Sequence, residues 1–203
     1  MQAPMTIKHY VSQMRKIPGG RFTMGRTEVT VGMWKEYCAA MGTPMPRDPG
    51  WGWIDSHPIV NVTWHDCNNY ATWAGLRLPT ATEWELAATG GDGRNYPWGG
   101  YGISTDGGWT YPGWDSSKCV NWTRGDRKTA PVGSVPAGTS PFGCADMIGN
   151  TWNWCANDYE GGKELRGGSW GLDDPDCFRC AFRLWFFPDG SFNFFGFRVV
   201  AAA

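Results

Sequence analysis

Long apolar runs are missing from this sequence. Nothing in it approaches the ~18 consecutive apolar residues that a membrane-spanning helix requires. The stretch Met1 to Lys16, MQAPMTIKHYVSQMRK, lacks the apolar centre of a secretory leader. Membrane insertion is therefore not expected, and no export signal is visible. Charge is scarce as well, at 18% of residues with a net of −1. That leaves no basic footprint of the kind that draws a protein onto nucleic acid or an anionic bilayer. Histidine is limited to three, and His57 and His65 flank a strand-to-helix junction without helical ligand spacing. Of the seven cysteines only Cys177 and Cys180 form a C-x-x-C pair, and one such pair without a second argues for buried free thiols over zinc. No internal repeat or linker divides the chain, so residues 1–203 are read as one domain.

Turn formers and tryptophan are abundant. With 29 Gly and 14 Pro against 41% hydrophobic residues, the chain is expected to be ordered but loop-rich. Fourteen Trp exceed ordinary usage; indole fills a core or anchors an interface, and both uses are open.

Arg21 to Met24 reads as a strand, followed by a short extended piece at Glu28 and Val29. A helix is expected from Val31 to about Ala40, capped by Thr30 and stopped by Gly42, with Met33, Trp34 and Tyr37 at helical spacing. Thr63 and Asp66 form an approximate capping box for a second helix ending at Gly75, and Thr80 with Glu83 does the same for a third. From Asp92 to Gly143 no periodicity survives; so long an irregular stretch is expected to be functional, or pinned by ions or packed aromatics. The remainder, through GNTWNWCAND, ELRGGSW, RCAFRLWFF and FFGFRVVA, reads as short strands separated by turns. The class is α+β with short helices and a small antiparallel sheet.

The motifs GGRFTMG, EVTVGMWKEYC, PIVNVTWHDCNNYATWAGLRLPTATEWELAA, YPWG, TAPVGSVPAGTSPFGCADMIGNTWNW, RGGSW and GFRVV occur in that order across nearly the whole chain. Together they resemble the formylglycine-generating enzyme, or sulfatase-modifying factor, branch of the C-type-lectin-like superfamily. The resemblance implies that fold. It does not fix an activity, because this superfamily serves enzymes and binders alike. The enzymes resemble this chain around RGGSW but place one Cys three residues after the Ser and a second five further on. Here those positions are Leu172 and Cys177. Leu offers no lone pair to copper, so the cysteine-oxidase reading is the alternative and a non-enzyme the expectation. Iron-dependent thiol-histidine oxidases would need more histidine. The Glu-Pro-Asn and Gln-Pro-Asp tripeptides of sugar-binding lectins do not occur.

The carboxy-terminal part is similar to the variable proteins of diversity-generating retroelements, in which adenine-directed copying replaces AAC-type codons by other NNC codons. Residues 166–200 correspond to the variable, ligand-binding segment. Between the landmarks Arg166, Gly167, Gly168, Ser169, Trp170, Arg179, Ala181, Arg183, Pro188, Asp189, Gly196, Phe197 and Arg198 lie Leu172, Asp173, Phe178, Phe182, Leu184, Phe186, Phe187, Phe192, Asn193, Phe194 and Phe195, all NNC-compatible types. Trp185 is not NNC-encoded, yet sits among them. The resemblance implies a ligand-binding display protein whose partner is a macromolecule, expected to be a protein, and suggests display on a virion or cell surface. Eight of the ten Phe crowd into Phe178 to Phe197, and the competing reading is that they are ordinary core. Apolar groups on both faces of a strand favour an exposed patch instead. On that view, Asn at Phe186, Phe187, Phe194 and Phe195 should leave the fold intact. The scaffold tryptophans Trp34, Trp64, Trp73, Trp84, Trp98, Trp152 and Trp154 would carry the core. Arg166, Arg179, Arg183 and Arg198 would donate to carboxylates or loop carbonyls beneath the variable face.

The resemblance also implies structural calcium. Asp146, the carbonyls of Gly149 and Thr151, and Asn153 correspond to one site, with Asn153 in place of a family Glu. Asn121, the Trp122 carbonyl and Asp126 correspond to a second.

Overall fold

A computed structural model describes residues 6–103 and 110–202; residues 1–5 of the amino-terminal stretch and 104–109 of the irregular region lie outside the described residues. The chain opens with helix α1 (Ile7–Ser12) and strands β1 (Arg15–Lys16) and β2 (Phe22–Met24). Next come α2 (Val31–Met41), α3 (Trp64–Trp73) and α4 (Ala81–Thr89), and then the carboxy-terminal strands β3 (Trp152–Tyr159), β4 (Gly162–Arg166), β5 (Leu184–Phe186), β6 (Phe195–Gly196) and β7 (Val200–Ala202). Among the described residues, no helix is long and apolar enough to cross a membrane.

Capping chemistry places the three larger helices where the sequence predicts them. The Thr30 hydroxyl accepts from the Met33 N–H, and Gly42 closes α2 in the left-handed conformation at φ 68°. Reciprocal capping boxes, Thr63 with Asp66 and Thr80 with Glu83, start α3 and α4. Helix α1 escapes sequence reading because its six residues bury only Tyr10, too little to leave a periodic signal.

The strands form two sheets, not one. A three-stranded sheet runs β1-β2-β7 and a four-stranded sheet β5-β4-β3-β6. The expectation of a small antiparallel sheet is corrected in one further respect: β6 lies parallel to β3, pairing Trp152 with Phe195 and Asn153 with Gly196. Gly196 makes this close approach possible, since a Cβ there would stand 2.6 Å from Thr151 Oγ1 and 2.9 Å from the Ile59 carbonyl.

One core cluster joins α2, α3, β3 and β6 through Trp34, Tyr37, Tyr70, Trp154 and Phe195, with Phe197 just beyond β6; Trp34 stacks on Tyr70 at 5.3 Å. A second gathers Met24, Trp84, Tyr96, Ile148, Cys155 and Phe178. The irregular region is pinned by packed aromatics: Tyr96 stacks on Trp98 at 5.5 Å and Trp114 on Phe178 at 4.9 Å. Phe178 is fully buried in this stack, which corrects its assignment to a ligand-facing position. Its ring completes the aromatic ladder that holds the long loop.

Candidate functional site

The platform beneath the carboxy-terminal segment is built from charged side chains on β4 and the loops behind it. Glu164 is completely buried and accepts from Arg166 Nε at 2.7 Å and from Arg183 Nε at 2.9 Å. Arg166 also donates to Glu85 Oε2 at 3.1 Å and to the carbonyls of Cys180 and Phe182. Arg183 lies 3.7 Å over the Tyr159 ring, and Arg179 pairs with Asp176. On the far side Arg198, also buried, donates to the carbonyls of Gly25, Ala145 and Asp146 and to Asn153 Oδ1 at 2.7 Å. All four landmark arginines thus donate to carboxylates or carbonyls, the use expected of a rigid fork of donors.

Above this platform the segment is held by its main chain. Trp122 N–H donates to the Leu172 carbonyl at 2.8 Å, Asn61 N–H to that of Phe192 at 3.0 Å, and Trp152 N–H to that of Phe194 at 2.9 Å. The Trp170 indole N–H reaches the Asn193 carbonyl at 3.0 Å, and Arg166 reaches that of Phe182. At five of the candidate positions, then, a scaffold donor grips a backbone oxygen that any residue type would supply.

Side chains at those positions differ widely in burial. Phe187 is 59% exposed and Phe192 38% exposed, and Asp173 is also exposed. Leu172, Phe182, Leu184, Trp185, Phe186, Asn193 and Phe194 are half-buried, most of them against the first core cluster. Phe195, by contrast, is buried at 2% exposure, with its ring 5.2 Å from Trp154 and 5.6 Å from Phe186. The exposed patch expected from sequence is corrected at Phe195, which belongs to the core. Because β6 pairs with β3, Phe195 must point into the core, while Phe186 and Phe194 straddle the boundary.

At the centre of the face lies a pocket of about 290 Å³. Trp122, Trp152, Trp170 and Phe194 wall it, Leu172 closes one side, and Ser169 and Asn193 contribute polar atoms. Sequence reading places Leu172, Asn193 and Phe194 in the site, while Trp152 stands with the core tryptophans, Trp170 with the landmarks and Trp122 only as a carbonyl of the second calcium site. The one visible signal of these indoles is the surplus of tryptophan itself.

The residues expected to hold calcium do not fit that ion. Asn153 Oδ1 accepts from Arg198 Nε and, at 3.2 Å, from the Trp84 indole N–H, while its Nδ2 donates to the Thr151 carbonyl at 3.0 Å. Asp146 accepts from the Gly133 N–H. Replacing an anionic ligand by Asn turns one would-be ligand into a donor that occupies another, and Arg198 supplies the positive charge in the ion's stead. In the second candidate site Asn121 Oδ1 caps Thr123, Asp126 pairs with Arg124, and the Trp122 carbonyl accepts from Gly125 N–H.

Glu28, to which sequence reading gave no chemical role, completes this buried network. Its carboxylate accepts from Thr151 N–H, Thr151 Oγ1 and Asn150 Nδ2. Burial, with the Asp146 carboxyl nearby, pushes Glu28 up to about 8 against the opposing pull of Arg198 and Thr151.

For thiol chemistry the geometry is poor. Leu172 occupies the first position, and burial together with Asp174 and Asp176 pushes the Cys177 thiol up to about 11. Cys180 is fully buried and raised as well, by burial first and by Glu85 next. A thiol kept protonated near neutral pH is a weak nucleophile. Among the described residues no group of three or more His, Cys, Asp or Glu converges on a point that could hold a metal ion.

This architecture has solved counterparts. The chain is similar to PvdO from Pseudomonas aeruginosa, with TM-score 0.72 and 25% identity over 90% of this chain and 80% of that one. It is similar in fold to Treponema denticola variable protein 1, with TM-score 0.65 and 22% identity over 90% of this chain and 86% of that one. The Major Tropism Determinant P3c variant gives TM-score 0.55 and 17% identity over 93% of this chain and 52% of that one. These neighbours make the fold C-type-lectin-like. Among curated proteins, the formylglycine-generating enzyme of Streptomyces coelicolor is 37% identical over 70% of this chain and 52% of its own length. The inactive C-alpha-formylglycine-generating enzyme 2 of Bos taurus is 34% identical over 78% of this chain and 55% of its own. The chain thus spans little more than half the length of these relatives, which include both an enzyme and an inactive homologue. The profile of the sulfatase-modifying factor enzyme 1-like domain matches residues 10–203, and the chain belongs to that family.

Proposed function

We propose that this protein is a non-catalytic binding module whose segment 166–200 is diversified by a retroelement and presents its face to a macromolecular ligand, a protein. The observation that supports this reading most directly is how the segment is anchored. Carbonyls at Leu172, Phe182, Phe192, Asn193 and Phe194 accept hydrogen bonds from the scaffold, and the landmark arginines hold the platform. Side-chain identity at these positions is thereby uncoupled from the hydrogen bonds that fix the backbone, the condition for a surface that tolerates replacement. Leu172 in place of a thiol and the raised Cys177 support the absence of catalysis.

A library randomised at Leu172, Phe182, Leu184, Phe187, Phe192, Asn193 and Phe194 tests the reading. Most members should remain folded, whereas substitution at Arg166 or Glu164 should not be tolerated. The neighbouring DNA should carry a near-identical repeat differing at adenines, beside a reverse transcriptase gene. Absence of both results would overturn the reading.

A second reading, a cysteine oxidase acting on protein substrates, draws support from the 37% identity to a formylglycine-generating enzyme. Incubation with a Cys-x-Pro-x-Arg peptide, copper and reductant separates the two. Aldehyde formed at enzyme-like turnover would establish the oxidase and sink the binder.

A further inference from the structure

The pocket at the centre of the face has a composition that selects among side chains. Trp122, Trp152, Trp170 and Phe194 give it flat apolar walls, and its volume of about 290 Å³ sits at the lower bound of ~300–1,000 Å³ typical of small-molecule sites. A single aromatic ring, which fits a cavity of ~150 Å³, enters such a space with room for its polar end. Besides the indole N–H groups of Trp122 and Trp152, two oxygen atoms of its lining have no hydrogen-bond partner among the described residues. Ser169, only 2% exposed, lines the pocket, and a Cβ built on the neighbouring Gly171 would stand 3.9 Å from its Oγ. Asn193 spends its amide N–H on the Pro49 carbonyl at 3.2 Å, leaving its Oδ1 as an acceptor. A buried ligand that left these groups unmatched would incur a desolvation cost, so the pocket disfavours a purely hydrocarbon ring. The wall residue Trp122 carries the Arg127 guanidinium 5.0 Å over its ring, and Arg127 makes no ion pair among the described residues. A guanidinium without a carboxylate partner thus lies against one wall residue of the pocket.

We propose that this pocket takes a tyrosine side chain of the protein partner, its ring between the indoles, its hydroxyl donating to Asn193 Oδ1 and accepting from Ser169 Oγ, with an acidic neighbour in the partner facing Arg127. The inference rests on the display reading for the existence of that partner, but the pocket can be probed without it. Aromatic anchors with a polar end, seated in a desolvated pocket, carry a large share of interface affinity.

The probes are p-cresol and toluene, titrated into the full chain and followed by tryptophan fluorescence and ligand-observed NMR. p-Cresol should bind about 3–10-fold more tightly than toluene, the worth of one net hydrogen bond. Ser169→Ala should bring that ratio towards one while leaving toluene binding in place. Leu172→Trp should fill the space and block both probes, with thermal melting confirming that the variant is folded. The blocked tripeptide Ac-Glu-Tyr-Glu-NH2 should bind more tightly than Ac-Lys-Tyr-Lys-NH2, by a margin that shrinks with added salt. Equal binding of the two ring probes by the wild-type chain, no binding of either, or an Ser169→Ala variant that keeps the full preference would overturn the tyrosine assignment. A null result with both rings removes the pocket yet leaves the display reading standing, because that is decided separately at Phe187 and Phe192.

Discussion

The two sides of β3 and β4 hold their chains in opposite ways. On the buried side, Glu28, Asn150, Asn153, Glu164, Arg166 and Arg198 are fixed by side-chain hydrogen bonds, each depending on the identity of its neighbours. On the other side, Leu172, Phe182, Phe192, Asn193 and Phe194 are gripped by their carbonyls, and their side chains make mainly apolar contacts. The first arrangement fails when one partner is changed; the second constrains the path of the chain and leaves the side chains open to replacement. A binding surface that must vary can be built only on the second.

The sharpest break of this comparison is at its boundary. Phe195 lies in the variable segment by sequence but in the core by structure. Phe195→Ala should therefore cost about 3–5 kcal/mol, the usual toll of emptying a buried aromatic site. Against total stabilities of ~5–15 kcal/mol this leaves a marginal domain, and urea denaturation would register it as a lower midpoint. A loss below ~1 kcal/mol would mean that Phe195 belongs with the replaceable face. The quadruple Asn variant at Phe186, Phe187, Phe194 and Phe195 is accordingly expected to unfold, and its unfolding would say nothing about display.

Where sequence reading succeeded and failed follows from what each signal encodes. Caps are local, so Thr30, Thr63 and Thr80 announced α2, α3 and α4 from a few residues each. The motif order carried the fold. Burial of Phe178 and Phe195 was not legible because it depends on partners far along the chain, Trp114 and Trp154, and an aromatic run looks the same whether one face or both are covered. The pocket was half legible: the segment supplied Leu172, Asn193 and Phe194, while Trp122 and Trp152 come from the scaffold and meet them only in the folded chain. Asn153 reads as a calcium ligand in the sequence because the side chain that takes its oxygen, Arg198, lies 45 residues further on.

The buried side gives the next prediction. Glu164 is the common acceptor of two arginines, and Arg166 is nearly as buried as Glu164 itself. Glu164→Leu should destabilise by about 1–3 kcal/mol, since the buried Arg166 loses the acceptor of its Nε and keeps only Glu85 and two carbonyls. Arg183→Ala should cost far less, because that side chain is 42% exposed and can be replaced by water. Similar losses in the two variants would contradict the asymmetry.

Smaller for each pH unit is the response of the Glu28 network to pH. In the folded chain burial pushes this carboxyl up to about 8, above the 4.5 of an ordinary glutamate that stands for the unfolded chain. Between those values the folded state holds the extra proton, so stability is greatest at the acid end of the window and falls as pH rises towards 8, by up to ~1.4 kcal/mol per pH unit for this one group. Glu28→Gln should flatten that part of the profile. A wild-type melting temperature that rises from pH 5 to pH 8 with the same slope in both proteins would reject the assignment. Since Arg198 already balances these oxygens, a calcium chelator should leave the melting temperature unchanged.

The smallest expected effect on stability falls on the exposed side, and it is the one that decides function. Phe187 and Phe192 are the most exposed aromatics of the segment, and they meet each other's surroundings through Phe186 at ring distances of 5.9 and 5.1 Å. Neither makes a side-chain hydrogen bond, and the Phe192 carbonyl keeps its bond from Asn61 whatever side chain it carries. Replacing both by Asn should therefore shift stability by no more than about 0.5 kcal/mol each, with a native-like melt. If this face meets a protein partner, the same pair of changes should weaken that complex by roughly 2 kcal/mol or more per anchor, because exposed rings in a free monomer become desolvated anchors in a complex. A double variant that unfolds would place Phe187 and Phe192 in the core with Phe195. One that stays folded and keeps full affinity for a partner captured by the wild-type chain would move the binding face elsewhere on the molecule.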